Sequence, residues 1–276
     1  MKDFGIPVTV FKDDTIFRHQ CDVLNEYYPV KEALELAEPI DSVLRQTVID
    51  EASYIIGENE NFKNMLTMDM NEYGIRNSTY SRNIQKLYHP ENHMKMFTSI
   101  DLCEANFQMV RKFNAVEYDT WKDFIASITE YDYFKRAKKL RQILFGTVSK
   151  ALPGRLQTLQ RWAMEQIVTE LIERMAMLPA DVFGISADEI ILHGRFEYLH
   201  INSYRAKVET FRVHRIGKTS MYYKKYLDGS IELKCVPSTY VCQVIKHILG
   251  KSTVPEDYVF QSNDGLLAKY MESCIK

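Results

Sequence analysis

An α+β fold is predicted for this 276-residue chain by three observations. Two apolar runs near its middle end on carboxylates, at Asp101 and at Asp188-Glu189, as strands and hairpins do. Between them residues 156–177 carry Leu156, Leu159, Ala163, Ile167, Leu171 and Met175 at three- and four-residue intervals, the spacing of a helix with one buried face. Beyond them Asp228-Gly229 joins residues 221–226 to 231–236, a tight-hairpin signal. Strand, helices and hairpins in that order, behind a helical preface, predict α+β rather than a parallel α/β sheet.

In chain order, residues 1–95 read as mostly helical, with polar breaks at Gly57-Glu-Asn-Glu-Asn and His89-Pro-Glu-Asn. Residues 94–101 read as a strand and 102–113 as a helix. Residues 118–145 read as one longer helical pattern with Trp121, Phe124, Ile125 and Ile128 on one face. Pro153-Gly154 breaks the chain before the helix over 156–177. Val182-Phe-Gly-Ile-Ser-Ala-Asp188-Glu189-Ile-Ile-Leu reads as a hairpin with an acidic tip. Residues 241–249 read as a helix. The predicted regions are 1–95, helical; 96–200, the core; and 201–276, a β-rich C-terminal extension.

With 46% hydrophobic and 12% aromatic residues the chain is globular rather than disordered. Its five cysteines show no CxxC spacing, which points to free thiols in a reducing compartment rather than a disulfide framework or zinc site. No stretch approaches ~18 apolar residues, so no membrane contact is expected, and the predicted location is cytoplasmic, the host cytoplasm if the chain is viral. The net charge of −2 hides a strong asymmetry. Residues 1–60 hold 13 acids and 5 bases, whereas residues 133–164 hold eight Lys or Arg and no acid. Residues 204–225 are again rich in Lys and Arg, with Glu209 as the one acid. Such local charge says more about nucleic-acid partners than the overall balance does.

Carboxylates on adjacent strand ends suit two divalent ions that clamp the attacking and leaving oxygens of a phosphoryl transfer. Mg²⁺ prefers oxygen ligands and keeps waters and substrate phosphates, so Asp101 and Asp188 are the candidate metal ligands for two Mg²⁺, or Mn²⁺ in their place. Glu189 stands beside them as an outer or weak ligand. The acid-free basic stretch is where a triphosphate and a nucleic-acid backbone would be held. On one helix Lys135 and Lys139, or Lys138 and Arg141, share a face. The bland alternatives are Asp101 as a helix N-cap and Asp188-Glu189 as a plain hairpin turn. The histidines show no HxxxH spacing, and Gly146-Thr-Val-Ser-Lys150 lacks the spacing of a P-loop.

Four segments in order resemble the palm and fingers core of family A DNA polymerases and the related single-subunit phage-type RNA polymerases. Gly74-Ile-Arg76-Asn-Ser78, running on to Asn83-Ile-Gln85, resembles that family's Gly-Arg, Ser-cluster and Asn-Leu-Gln segment. Asp101 opens a likeness to motif A. Lys135-Arg136-Ala-Lys-Lys139-Leu-Arg141-Gln-Ile-Leu-Phe145 resembles the motif B helix, and Ser186-Ala-Asp188-Glu189 resembles motif C. A rival resemblance, to reverse transcriptases, uses the same aspartates. Asp101-Leu-Cys-Glu-Ala-Asn-Phe-Gln resembles their motif A, Leu152-Pro153-Gly154 their Leu-Pro-x-Gly, and Ala187-Asp188-Glu189 an altered x-Asp-Asp.

The resemblance implies a right-hand polymerase palm with reduced fingers, acting as a template-directed nucleotidyltransferase on DNA or RNA. It implies catalytic roles for Asp101, Asp188 and Glu189. Lys135, Arg136, Lys139 and Arg141 would bind the nucleoside triphosphate, with Phe145 stacking on it and Asn106 at the ribose gate, where the DNA enzymes usually carry Glu. Arg76, Asn83, Gln85, Arg155 and Gln157 would touch the DNA template, primer or transcript. Ala187 stands where His is usual. Nothing resembles a thumb, so a second polymerase subunit is expected, facing the acidic residues 1–60. The alternative is a non-catalytic nucleic-acid-binding subunit with a decayed palm.

Overall fold

A computed structural model describes residues 40–71, 80, 84–196, 199–236, 240–251, 259–261 and 267–269. The chain divides into two compact units, each discontinuous in sequence. One comprises Gly57–Thr120 and Ser149–Cys235, the other Met1–Ile56, Trp121–Val148 and Val236–Lys276. The fold is α+β with an antiparallel sheet, as the sequence predicts. No helix among the described residues is long and apolar enough to cross a membrane.

The first unit is built on a six-stranded sheet. Its strands are β1 (Met96–Leu102), β2 (Val182–Ile185), β3 (Glu189–His193), β4 (Ala206–Arg215), β5 (Tyr222–Tyr226) and β6 (Ile231–Lys234), in the order β2-β3-β1-β4-β5-β6. Every neighbouring pair is antiparallel. The chain therefore leaves β1, passes through helices, and returns as β2 two places away, with β3 filling the gap as a split β-α-β. The strands expected in the core and β4–β6 of the expected extension form one continuous sheet.

Alternation along β1 explains why this strand sits at the centre. Phe97, Ser99 and Asp101 point to one face, and Thr98, Ile100 and Leu102 to the other; both sets are buried apart from Asp101. Buried Thr98 is satisfied by donating to the Gly194 carbonyl at 3.0 Å and accepting from the Phe196 amide at 3.2 Å. The Phe97 face carries a cluster of Leu87, Phe97, Ile191, Phe211, Val213 and Tyr222, with the 3₁₀ segment Ile84–Tyr88 contributing Ile84, Leu87 and Tyr88.

Helices belong to the other face. This unit holds α2 (Glu60–Thr67), α3 (Ala105–Lys112) and the long α7 (Arg155–Met175), while α1 (Ser42–Glu58) runs up to its boundary. In α7 the residues Leu156, Leu159, Ala163, Met164, Ile167, Val168 and Leu171 are buried, the stripe its periodicity predicts. Helices α3 and α7 pack together, and α7 reaches β2. Gln160 of α7 donates to Asn106 of α3 at 2.6 Å. Buried Gln108 donates to the carbonyls of Cys103 and Arg205 and accepts from the Arg205 amide at 2.9 Å, tying α3 to the approach of β4. Gln108→Ala removes three part-buried hydrogen bonds, so a loss of about 1 kcal/mol is expected, read as a lower urea midpoint at unchanged slope.

In the second unit the helical pattern over 118–145 is three helices, not one. They are α4 (Trp121–Ala126), α5 (Asp132–Arg136) and α6 (Lys138–Val148). Ser127 and Thr129 divert the chain: the Ser127 hydroxyl donates to the Phe124 carbonyl at 2.7 Å, and the Thr129 oxygen accepts from the Tyr131 amide. Ala137, with ψ of 95°, then separates α5 from α6. Fully buried Trp121 holds the three together, donating its ring N–H to the Phe134 carbonyl at 3.3 Å and packing on Phe124 and Phe145. The remaining elements are α8 (Val241–Ile248), β7 (Val259–Gln261) and β8 (Leu267–Lys269), with α8 against β7.

Candidate active site

The β1–β3 ladder gathers the acids at one sheet end. Asp101 lies directly opposite Glu189, and the Leu102 amide donates to the Asp188 carbonyl at 2.9 Å. Residues opposite one another in an antiparallel pair have Cβ atoms about 5 Å apart. Asp101 and Glu189 thus come from neighbouring strands, with Asp188 just before β3, and both aspartates are exposed. Asp101 is not a helix cap, because the N-cap position of α3 is Glu104, in the left-handed region at φ 52°. Glu104 is held there by an ion pair to Arg205. Ala187 and Asp188 form the tip of the β2–β3 hairpin, closed by the Ser186 amide donating to the Glu189 carbonyl at 2.8 Å. A turn position for Asp188 is therefore compatible with a ligand role.

The Phe97 face also carries a network of charges. On the far side of Asp101 stands Lys207 of β4, directly opposite in register and paired with Glu209 at 2.8 Å. Glu189 accepts from Lys224 at 3.1 Å. Lys224 belongs to β5, and the register sets it against Val213 while Glu189 lines up with Lys207, so on a flat sheet the two positions would stand about 14 Å apart across the strands and about 20 Å along them. Side chains meet over that span only if the sheet curls, with this face inside. The Lys224 side chain is 4% exposed, lies 4.4 Å from the Phe211 ring centroid, and has Glu232 of β6 at 3.8 Å.

Burial alone would push the Glu232 carboxyl up, but Lys234 and Lys224, with the Tyr226 hydroxyl donating at 2.8 Å, hold it below the usual carboxylate value. A folded pKa below the unfolded one adds stability above the unfolded value, near 4.3, and that stability is lost as pH falls through the folded one. Glu232→Gln is expected to flatten the acid limb of stability, measured as urea midpoints between pH 6 and pH 3. Burial, with the negative charge of Glu189 and Glu232, pushes the Tyr88 phenol far up, so it stays neutral.

Other expected site residues fall differently. Lys135 donates to Asp132 at 2.6 Å and to the Glu130 carbonyl at 3.1 Å on α5, so it shares no continuous helix face with Lys139. Arg136 is exposed, whereas Lys139 and Arg141 belong to α6, with the Arg141 guanidinium 5.9 Å from the Trp121 ring centroid. Phe145 is 2% exposed and packed on Trp121, so its ring serves the core of that unit rather than a surface stack. Arg155 donates to the carbonyls of Met65 and Met68, closing the C-terminal end of α2. Gln85 and Gln157 are exposed. Arg76 and Asn83 lie outside the described residues. Sequence reasoning missed Lys224; the period-two placement of Tyr222, Lys224 and Tyr226 on one face was the available signal.

Among the described residues no group of three or more His, Cys, Asp or Glu side chains is close enough together to hold a metal ion. The acid end offers instead two short, exposed oxygen donors, with Glu189 already engaged by Lys224. Mg²⁺ bound through one or two carboxylates plus substrate phosphates fits that donor set. A concavity of about 1110 Å³ lies elsewhere, lined by Gln108, Arg111, Lys112, His200, Asn202 and Arg205 among others, and none of the three acids lines it. No protein-family model, curated protein or solved structure matches the chain.

Proposed function

We propose that the chain is a template-directed nucleotidyltransferase that adds nucleotides to a nucleic-acid 3′ end, as one subunit of a phage-like DNA or RNA polymerase. The observation that carries this is the pairing of Asp101 with Glu189, with Asp188 next to it at the hairpin tip. A split β-α-β sheet with acids at the end of its central strand and on the adjoining hairpin is what a palm requires, and it supports that assignment. Asp101 and Asp188 would hold the Mg²⁺ ions. When bound, these supply a more acidic 3′-hydroxyl and charge compensation for the leaving pyrophosphate. Glu189, tethered by Lys224, keeps negative charge beside Asp101 without swinging freely. Lys207, across from Asp101, limits the repulsion among the acids. The partner subunit is proposed to face residues 1–60.

The test is extension of a labelled primer on a template with the four deoxynucleoside or ribonucleoside triphosphates and Mg²⁺ or Mn²⁺. Metal-dependent extension, lost in Asp101→Asn, is expected; no extension with either ion and either sugar, with or without co-purifying chains, would refute it. A second reading, a non-catalytic nucleic-acid-binding subunit, is favoured by the engagement of Glu189 by Lys224 and the lack of a three-acid cluster among the described residues. It predicts no saturable Mn²⁺ stabilisation that depends on Asp101 and Asp188.

A further inference from the structure

The two faces of the β4–β6 half of the sheet differ in charge. The face shared with Asp101 carries Glu209 and Glu232 beside Lys207, Lys224 and Lys234. On the opposite face the register pairs Arg212 with Lys225, and His214 with Tyr223, followed on β6 by Ile231 and Leu233. No acid occupies a position of that face along β4, β5 or β6. Arg212 and Lys225 are exposed, and His214 and Tyr223 half-buried. The His214 and Tyr223 rings stack at 4.7 Å and 9°, and His93 meets His214 edge-on at 6.2 Å.

This aromatic pair is fixed in place. The Arg215 amide donates to His93 Nδ1 at 2.9 Å, and the Arg215 guanidinium donates to the carbonyls of Lys218 and Thr219, bracing the β4–β5 turn. Burial, with neighbouring His93 and the positive charge of Lys225 and Arg212, holds the His214 imidazole below its ordinary pKa. The cation pair and the aromatic pair lie two residues apart along the strands, about 7 Å.

We propose that this face of β4–β6 binds single-stranded nucleic acid, with Arg212 and Lys225 on phosphates and Tyr223 and His214 against bases. Cations interleaved with aromatic rings, accessible on the β4–β6 part of the face that carries the helices elsewhere, provide both contacts that sequence-tolerant strand binding uses. An acid-free surface suits a polyanion, while the rings favour bases over a lipid surface. The site lies on the side of the sheet away from Asp101, so it is separate from the catalytic proposal and stands without it.

The test is fluorescence anisotropy of a labelled single-stranded oligonucleotide with the full chain across a salt series. Arg212→Gln/Lys225→Gln is expected to weaken binding about fivefold or more and to reduce the salt slope by about 1.4, two phosphate contacts at ~0.7 each. Tyr223→Ala is expected to weaken binding at least about fivefold with the slope unchanged, as loss of a base contact does. Arg174→Gln, at an exposed cation outside this face, should bind as the unmodified chain does, which ties the loss to the β4–β6 face rather than to charge in general. Unchanged affinity and slope in the first variant would overturn the proposal, as would binding of phosphatidylserine vesicles in place of the oligonucleotide. Loss of binding in that variant alongside absent primer extension by the unmodified chain would retain this site and reject the polymerase.

Discussion

Asp101→Asn and Asp188→Asn are each expected to reduce metal-dependent nucleotide incorporation on the order of 10³-fold, with little change in folding. Both side chains are exposed, so an isosteric amide leaves the packing of β1 and the β2–β3 hairpin intact. The amide removes the negative charge that makes each oxygen a useful Mg²⁺ ligand. Glu189→Gln should be milder, because the Glu189 carboxylate already answers Lys224. Thermal shift with Mn²⁺ supplies an independent readout: stabilisation that saturates in the unmodified chain should vanish in either aspartate variant and persist in Glu189→Gln. Incorporation by Asp101→Asn/Asp188→Asn at the unmodified rate would remove both residues from any catalytic role.

Periodicity made the secondary structure around these acids legible. Leu156 to Leu171 could be only a helix with one buried stripe, and the run up to Asp101 read as a strand, whose burial on both faces and central place only the structure shows. The hairpin at Asp228-Gly229 was equally open to reading, since Gly229 takes φ 87°. Residues 118–145 misled because apolar spacing continues through Ser127–Tyr131, where local side-chain hydrogen bonds compete with the helix. Phe145 misled for a related reason: an aromatic residue beside a basic run marks a stacking site and a core position alike, and the match with Trp121 exists only in three dimensions. The Glu189–Lys224 pair was hidden because 35 residues and a curled sheet separate its partners.

That pair sets the second large effect. Lys224→Met is expected to destabilise the chain by about 3 kcal/mol, because removing one member of a buried pair leaves the other charge uncompensated. The loss arises mainly from Glu189 and secondarily from Glu232, whose carboxylates flank the ammonium at 3.1 and 3.8 Å. The ammonium's contact with the Phe211 ring is lost as well, although the methionine side chain refills most of the space. A double-mutant cycle separates these contributions: Glu189→Gln in the Lys224→Met background should recover part of the stability, since a neutral pair no longer strands a charge. In the single variant Glu189 is released beside Asp101 and Asp188, so Mn²⁺ stabilisation should strengthen while basal stability falls. Opposite movements of those two quantities are the signature of a lysine that ties up a third carboxylate of the acid end. If urea midpoints in the cycle were additive and Mn²⁺ stabilisation unchanged, Lys224 would be a packing residue with no hold on the site.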